Sequence, residues 1–272
     1  MSISERLRSS GLAPKKRFGQ NFLVEANTAR AIAEAATTPA GGTVLEIGGG
    51  LGALTRPLLE RAARVVVIER DRDLVPLLSA ELEVPIAEGR ASVIEADALL
   101  VDWEAQLVGP RPHVIAGNLP YQITGALLER ATTISHRVDR AVFMVQAEVA
   151  DRLIAPPGSK TYGVLSVFVQ AAFDVRRLLT VRAGAFFPRP EVDSAVVLLV
   201  SRRRAEETDA FRESVRLAFG SRRKTLRNAW RGLYGWSKEE LEAHAAAASI
   251  SLDARGETLS VEDFARIASR KT

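Results

Sequence analysis

The segment TVLEIGGGLGALT, residues 43–55, is the stretch of sequence that indicates the fold most directly. The apolar run at its start predicts a buried strand, and this run ends at a glycine cluster. Gly48, Gly50 and Ala53 satisfy the pattern G-x-G-x-x-G/A, whose glycines allow a tight turn and a close backbone approach to a nucleotide. A helical segment follows at about 53–62, so the pattern stands between a strand and a helix, as a nucleotide-binding turn requires.

Strand-like and helical patterns alternate after this turn. Further strands are predicted at residues 64–69, 91–97, 113–117 and 141–146, with helices at 72–82 and 125–134. Strands separated by helices favour right-handed βαβ units and a parallel sheet that is covered on both faces. The runs 173–181 and 194–200 are also strand-like, but a short connection rich in Phe and Pro joins them. We therefore predict a Rossmann-like α/β sheet that is mostly parallel and has one antiparallel strand.

The C-terminal part of the chain shows helical patterns alone. They are FRESVRLAFG, RKTLRNAWRGL, SKEELEAHAAAA and SVEDFARIAS, and the Ser and early acids of SVEDF predict an N-cap. We predict a large domain over residues 1–200, with a basic arm at 1–23, and a small all-helical domain over 201–272. The first 200 residues hold 22 basic and 22 acidic side chains, and the remainder hold 15 and 11, which accounts for the net charge of +4. A basic tail indicates either a surface for a polyanion or a solvated basic helix.

The composition excludes several classes of protein. The chain has no cysteine, which excludes disulfides, thiolate zinc sites and a cysteine nucleophile. Its three histidines are far apart in sequence, so no metal is expected to be required. No apolar run is long enough to span a membrane, and the first residues have no apolar signal core. A cytoplasmic protein without a membrane partner is the expectation.

Two carboxylates follow the glycine turn at the ends of predicted strands. Glu69 ends the second strand, 21 positions after Gly48, where a carboxylate can accept two hydrogen bonds from a ribose diol. An adenosine-containing cofactor is therefore expected at this end of the sheet. A nicotinamide or flavin dinucleotide and S-adenosylmethionine would share these features. Asp97, just past the third strand, favours the latter because it can accept a hydrogen bond from an adenine amino group, although it can also simply cap a turn.

The tetrapeptide NLPY, residues 118–121, follows the fourth strand, at the sheet edge where open α/β folds bind ligands. Asn118 and the Leu119 carbonyl offer two acceptors, and Pro120 holds the residue before it extended. Tyr121 adds an aromatic face. Two acceptors beside a flat face suit an exocyclic amine on a base, and transfer from a sulfonium needs orientation and electrostatics rather than a strong base.

Ten segments, spread over nearly the whole chain, carry a family resemblance. They are KKRFGQNFL (15–23), LEIGGGLGALT (45–55), VIERD (67–71), EADAL (95–99), NLPYQITG (118–125), MVQAEVADRL (144–153), YGVLSVFVQ (162–170), FFPRPEVDSAVV (186–197), RRKTLRN (222–228) and ETLSVEDF (257–264). In these segments the chain resembles the rRNA adenine N6,N6-dimethyltransferase family, of the type that modifies the small ribosomal subunit of bacteria. The resemblance implies a class I methyltransferase fold.

The resemblance also implies roles for particular residues. S-adenosylmethionine, which leaves as S-adenosylhomocysteine, would be bound by Asn21, Leu23, Gly48, Glu69, Asp97 and Asn118. The methyl-transfer site would consist of Asn118, Leu119, Tyr121 and Phe186, with the two aromatic rings on either side of a base that has left its RNA stack. RNA phosphates would be contacted by Arg222, Arg223, Lys224 and Arg227.

Two positions depart from the family pattern. Gly49 stands where the family usually has proline, which predicts a looser loop. Ala147 stands where the family usually has lysine, so a basic contact is absent there and no role is assigned to the position.

The substrate implied by the resemblance is a pair of adjacent adenines in the 3′-terminal hairpin loop of 16S rRNA. The 16S rRNA would be met within the 30S subunit or its precursor by a monomeric enzyme with a role in subunit biogenesis. Three alternatives stay open from the sequence: a 23S rRNA adenine methyltransferase of the resistance branch, a non-catalytic ribosome-assembly factor on the same scaffold, and a nicotinamide-dependent oxidoreductase. The last leaves NLPY and the basic tail unexplained.

Overall fold

The computed structural model of the chain describes residues 3–221 and 223–271. These residues form two compact units. The first comprises the described residues up to Ala150 together with Arg176–Ser201, and the second comprises Asp151–Val175 and the described residues from Arg202 onward.

A seven-stranded sheet forms the centre of the first unit. In chain order the strands of the protein are β1 (Phe22–Leu23), β2 (Thr43–Ile47), β3 (Arg64–Glu69), β4 (Ala91–Glu95), β5 (His113–Asn118), β6 (Arg140–Gln146), β7 (Phe173–Val181), β8 (Phe186–Phe187) and β9 (Ser194–Ser201). The order across the large sheet is β4-β3-β2-β5-β6-β9-β7. Strands β2 to β6 run parallel to one another, whereas β9 is antiparallel to β6. The predicted α/β class, a mostly parallel sheet with an antiparallel addition, is confirmed.

Helices before, between and after these strands complete the chain. They are α1 (Ile3–Ser9), α2 (Ala26–Ala36), α3 (Thr55–Leu59), α4 (Val75–Glu81), α5 (Glu83–Ala87), α6 (Trp103–Gln106), α7 (Thr124–Thr133), α8 (Ala147–Ile154), α9 (Val164–Ala172), α10 (Asp209–Phe219), α11 (Leu226–Ala229), α12 (Lys238–Ala247) and α13 (Val261–Ala268). Within the described residues, none of these helices is both long enough and apolar enough to cross a membrane.

The core of the first unit follows from the apolar strands. All five residues of β2 are buried, as are the last five of β3, because strands in the middle of a parallel sheet are covered on both faces. Helix α2 covers one face by presenting residues at helical spacing, of which Ile32, Ala33 and Ala36 are fully buried. The parallel strands consequently end at one common edge, where their loops are brought together.

The second unit is helical and has a core of its own. Phe211 of α10 and Phe264 of α13 pack edge to face with centroids 6.5 Å apart, and the indole of Trp230 lies 6.3 Å from Phe264. The buried Trp230 Nε1 donates to the Ser214 carbonyl at 2.8 Å. The predicted N-cap of the last helix is confirmed, because the Ser260 hydroxyl accepts the Asp263 N–H at 3.1 Å.

The two units differ from the predicted domains of 1–200 and 201–272 in the placement of residues 151–175. Helix α9 lies in the second unit because its buried residues, among them Phe168, join the same apolar cluster as Phe211. The order of the sequence did not reveal this boundary, because residues 151–175 lie between two segments that both belong to the first unit. A second difference is the small antiparallel sheet of β1 and β8, whose strands of two residues are too short for a periodic pattern.

Candidate active site

A cavity lies at the edge of the sheet where β2, β3 and β5 end, and it is lined by residues of the first unit. The glycine turn after β2 forms one wall. Gly48 and Gly50 have φ angles of +78° and +55°, in the left-handed region that favours glycine. The nearest atom to a Cβ built on Gly48 is the Asn118 carbonyl oxygen at 3.9 Å, so the turn and the end of β5 face each other closely.

The structure corrects the expectation that Gly49 makes the turn loose. A Cβ built on Gly49 would lie 2.4 Å from Val67 Cγ1 and 2.7 Å from Leu78 Cδ2. These distances are far shorter than normal carbon contacts, so the turn is packed tightly against β3 and α4. Glycine stands at this position because neighbouring side chains already fill the space that a larger residue would need.

Glu69 stands at the end of β3 with its carboxylate directed at the turn. One oxygen accepts the Gly50 N–H at 2.8 Å, and the other accepts the Asp71 N–H at 2.7 Å. The residue is 7% exposed, and this burial raises the pKa of Glu69 even though both backbone bonds oppose the change. Each oxygen keeps a further lone pair, so the carboxylate can still accept bonds from a diol in the cavity.

Asp97 also lines the cavity, beyond the end of β4. One carboxylate oxygen accepts the Leu99 N–H at 2.9 Å, and the other lies 3.1 Å from the Arg70 guanidinium. The turn-capping reading of Asp97 and the ligand-binding reading are therefore compatible, because one side chain makes the turn contact and still faces the cavity.

Asn118 and Leu119, at and just after the end of β5, lie on the same wall of the cavity. The Asn118 Nδ2 donates to the backbone carbonyl of Asn21 at 2.8 Å, which leaves Oδ1 as an acceptor. The Leu119 N–H donates a hydrogen bond to the Met144 carbonyl oxygen at 3.0 Å. Both residues line the cavity, together with Asn21 and Leu23 from the arm.

Tyr121 lines the cavity, and a hydrogen bond of its hydroxyl group holds the ring in place. Its hydroxyl is 2.8 Å from the Ser194 hydroxyl at the start of β9. Partial burial raises the pKa of Tyr121, so the phenol stays neutral at physiological pH. The ring is therefore a fixed uncharged surface at the cavity.

Phe186 lies in the apolar core beside the arm, and its predicted role beside the target base stays a prediction. Its side chain is 4% exposed and belongs to the same apolar core cluster as Leu23, its partner in the β1–β8 register. Phe186 is not among the residues that line the cavity. Adjacent residues of a strand face opposite sides, and the neighbouring Phe187 is accordingly 36% exposed. The family resemblance pointed to the segment 186–197, but the pairing of β8 with β1 determines which residue of β8 faces the core.

Two acids at the site were missed by the sequence reasoning. Glu46 lies in β2 two residues before Gly48, lines the cavity, and is 1% exposed. Burial raises the pKa of Glu46 to about 8. Asp71, two residues after Glu69, is 2% exposed. An acid inside an apolar strand and a second acid in VIERD were the available signals.

The predicted basic cluster lies in the second unit. Arg222 falls outside the described residues. Arg223 and Lys224 are exposed and precede α11, so they lie on a turn and not on the long helix that the sequence predicted. Arg227 pairs with Glu242 and Asp253, with nitrogen to oxygen distances of 2.5 and 3.5 Å. The helix is short because the N–H groups of residues 226 and 227 donate to carbonyls at 254 and 252.

The donor and acceptor set of the cavity fits S-adenosylmethionine better than a dinucleotide in one respect. Carboxyl groups stand at Glu46, Glu69 and Asp97 around the turn, all of them cavity-lining. Glu69 and Asp97 suit a ligand with a ribose diol and an adenine amino group, whereas their negative charge would repel a pyrophosphate.

Comparison with known protein families gives one matching family model. The model for ribosomal RNA adenine dimethylase matches residues 11–272. A ribosomal RNA small subunit methyltransferase A of Moorella thermoacetica is 45% identical over 276 aligned residues, which cover 96% of this chain and 93% of that protein.

Two solved structures are similar over most of the chain. The first is a dimethyladenosine transferase of Plasmodium falciparum, with a TM-score of 0.70 and 25% identity, covering 89% of this chain and 94% of that one. The second is the 23S rRNA methyltransferase ErmE, with a TM-score of 0.67 and 27% identity, covering 92% and 99%.

Proposed function

The chain belongs to the ribosomal RNA adenine dimethylase family, and from this premise we propose that it dimethylates the N6 amino groups of two adjacent adenines in the 3′-terminal hairpin loop of 16S rRNA. The observation that carries the proposal is the meeting of two acceptors, those of Asn118 and Leu119, with the glycine turn and Glu69 in one cavity. This arrangement suits an exocyclic amine beside a nucleoside cofactor.

S-adenosylmethionine, when bound, supplies a methyl group on a positively charged sulfur. We assign its ribose to Glu69, its adenine to Asp97 and its amino-acid part to Gly48, with Asn21, Leu23 and Asn118 closing the site. Glu69 is prepared for this role because two backbone N–H groups fix both of its oxygens. A fixed acceptor loses little conformational entropy on binding.

Asn118 and Leu119 orient the target amine. The N6 lone pair of adenine is delocalised into the ring, and two acceptors on its two N–H bonds favour a pyramidal nitrogen with an available lone pair. The Asn21 carbonyl fixes the Asn118 amide so that Oδ1 is the atom offered to the amine. Orientation and electrostatics of this kind are the main contributions expected from the protein.

The reaction balances without a strong base. With S-adenosylmethionine bound, a bond would form between N6 and the methyl carbon while the bond from that carbon to sulfur breaks, and the sulfur would leave as a neutral thioether. The methylated nitrogen would carry a positive charge until it releases a proton to water, while the Asn118 and Leu119 acceptors stabilise that charge. A second cycle on the same nitrogen gives the dimethylated base.

Tyr121 provides an aromatic face for the target base once it has left the RNA stack. Its ring is positioned by the bond to Ser194. Phe186 packs in the core beside Leu23, so of the two aromatic rings proposed to flank the base, Tyr121 is the one that lines the cavity.

The RNA partner is assigned to 16S rRNA within the 30S subunit or its precursor, met in the cytoplasm by a monomer. Identity of 45% to the small-subunit relative, against 27% to ErmE, favours this branch over methylation of 23S rRNA. Arg223 and Lys224 are the best placed phosphate contacts, because they are exposed. Arg227 contributes less, since its charge is already paired within the second unit.

Methyl transfer into undermethylated small subunits tests the proposal. Labelled S-adenosylmethionine, the full chain and 30S or 50S particles from a strain lacking this modification are incubated, and modified positions are mapped by mass spectrometry. Dimethylation of two adjacent 16S adenines supports the proposal. Label in 23S rRNA alone, or none despite cofactor binding, contradicts it. The second result would favour a non-catalytic assembly factor.

A further inference from the structure

Asp71 lies at a junction between the N-terminal arm and the acid that we assign to the ribose. Its carboxylate is almost fully buried, with 3% of the side chain exposed, although it lines no part of the cavity itself. One oxygen pairs with the Lys15 ammonium at 2.5 Å, and the other accepts the Gln20 side-chain N–H at 2.7 Å. Both partners belong to the arm, more than fifty positions away in sequence.

The same residue contacts Glu69 through its backbone. The Asp71 N–H donates to Glu69 Oε1 at 2.7 Å, and Asp71 Oδ1 accepts the Asp73 N–H at 3.2 Å, which shapes the loop after β3. The loop conformation that points the Asp71 N–H at Glu69 is therefore the one that also receives the arm.

Gln20 continues the connection toward the reacting groups. Its side-chain oxygen accepts the Lys15 N–H at 2.8 Å, so the amide is fixed at both ends. The next residue, Asn21, gives its carbonyl to the Asn118 amide at 2.8 Å. A chain of contacts thus runs from Glu69 through Asp71 and Gln20 to Asn118.

We infer that Asp71 is a positioning residue, which holds the arm closed against the cavity and couples arm closure to cofactor binding at Glu69. Closure forms a charged hydrogen-bond set that is complete when the arm is in place, in which Lys15 pairs with the buried Asp71 and with the more exposed Asp73. A site that binds only when closed has an apparent dissociation constant equal to the intrinsic one divided by the fraction of molecules that are closed. We call the contacts of Asp71 with Lys15 and Gln20 the latch. Loss of the latch therefore weakens cofactor binding and misplaces the Asn118 acceptor. The inference rests on the proposed function for the identity of the cofactor and goes beyond it in naming what closes the site.

The test compares five variants of the full chain: Asp71→Asn, Gln20→Leu, Lys15→Met, the double variant Lys15→Met with Asp71→Asn, and the control Glu81→Gln. Glu81 pairs with Arg6, near the start of the arm, and with Arg56, but it contacts none of residues 15–21 through these pairs and lines no part of the cavity. Calorimetry measures the affinity for S-adenosylhomocysteine without RNA. Trypsin cleavage after Lys16 and Arg17, with and without S-adenosylhomocysteine, measures arm closure directly.

The latch predicts that Asp71→Asn and Gln20→Leu each weaken S-adenosylhomocysteine binding by about tenfold or more, while Glu81→Gln stays within about twofold. It also predicts that the ligand protects the arm from trypsin in wild type and Glu81→Gln but not in the two latch variants. Combining Lys15→Met with Asp71→Asn should cost less affinity than the two single changes together.

A merely structural role would lower the unfolding temperature and leave ligand affinity and trypsin protection unchanged, which would overturn the inference. If Asp71→Asn does not fold, Gln20→Leu carries the same test, since it leaves the Lys15–Asp71 pair intact. These readouts involve no methyl transfer. If the wild-type protein binds S-adenosylhomocysteine but methylates no rRNA, the proposed function is contradicted, and the binding and trypsin measurements still decide the latch. If the wild-type protein does not bind S-adenosylhomocysteine, both proposals are overturned.

Discussion

Replacing Glu46 by glutamine tests the electrostatics of the glycine turn. Glu46 is 1% exposed, and among the described residues its Oε2 has no hydrogen-bond partner. Burial raises the pKa of this carboxyl from 4.5 to about 8, so the folded protein holds it as the neutral acid at physiological pH. Glutamine has nearly the same shape and is neutral at every pH.

The sign of the effect on stability follows from proton binding. Between pH 4.5 and about 8 the unfolded chain has lost the Glu46 proton and the folded chain has kept it. The folded state therefore binds more protons in this window, and its stability falls as pH rises. Each pH unit changes the free energy of unfolding by about 1.4 kcal/mol, which over the whole window amounts to at most about 5 kcal/mol. The glutamine variant does not have this loss.

Urea unfolding of both proteins without cofactor, at about pH 5, 6.5 and 8.5, measures the effect. Titrating groups that do not interact with Glu46 cancel in the difference between the two proteins. The variant should gain stability relative to wild type as pH rises, by several kcal/mol between the lowest and highest pH, with no further gain above the pKa of Glu46. A difference that stays constant with pH would refute the reasoning, because it would show that Glu46 ionises alike in both states.

Three further predictions concern the cofactor, the turn and the RNA. Glu69→Gln should raise the dissociation constant for S-adenosylhomocysteine by about 10- to 100-fold in calorimetry, since a buried bond to a charged acceptor is worth roughly 1.5–3 kcal/mol; unchanged affinity would remove Glu69 from the site. Gly49→Ala should lower the free energy of unfolding in urea by about 1–3 kcal/mol, because the added methyl overlaps the side chains packed on the turn; a neutral effect would mean that they move aside freely. Changing Arg223 and Lys224 together to alanine should weaken 16S RNA binding in filter assays and flatten its salt dependence without altering cofactor affinity, whereas Arg227→Ala should have the smaller effect on RNA. Equal effects on RNA binding would contradict the assignment.

The large sheet could be predicted from the sequence because most of its strands are apolar runs bounded by loops. The predicted run 43–47 coincides with β2, and 64–69 with β3. The cavity wall was predictable for the same reason, since Glu69, Asp97 and Asn118 stand at or just beyond the ends of parallel strands. In this fold, a residue at the carboxyl end of a parallel strand also lies at the edge of the sheet that binds ligands.

What the sequence could not supply depends on pairing across distance. The side of β8 that Phe186 occupies is set by its register with Leu23, in a strand of two residues. The sequence predicted that Gly49 leaves the turn loose, whereas a Cβ built on Gly49 would lie 2.4 Å from Val67 Cγ1. The charge of Arg227 is taken up by acids 15 and 26 positions away, which no local pattern reveals.

Methyl transfer by Asn118→Ala tests the central claim most directly, because Asn118 is assigned to the target amine and its loss removes an acceptor from the reacting centre. Label incorporation into undermethylated 30S particles is measured at saturating S-adenosylmethionine, with modified positions mapped in wild type and variant. We predict that wild type dimethylates two adjacent adenines near the 3′ end of 16S rRNA and that the variant loses roughly a hundredfold or more in rate while remaining folded. Wild-type label at other positions, or a variant that transfers methyl groups as fast as wild type, would contradict the account.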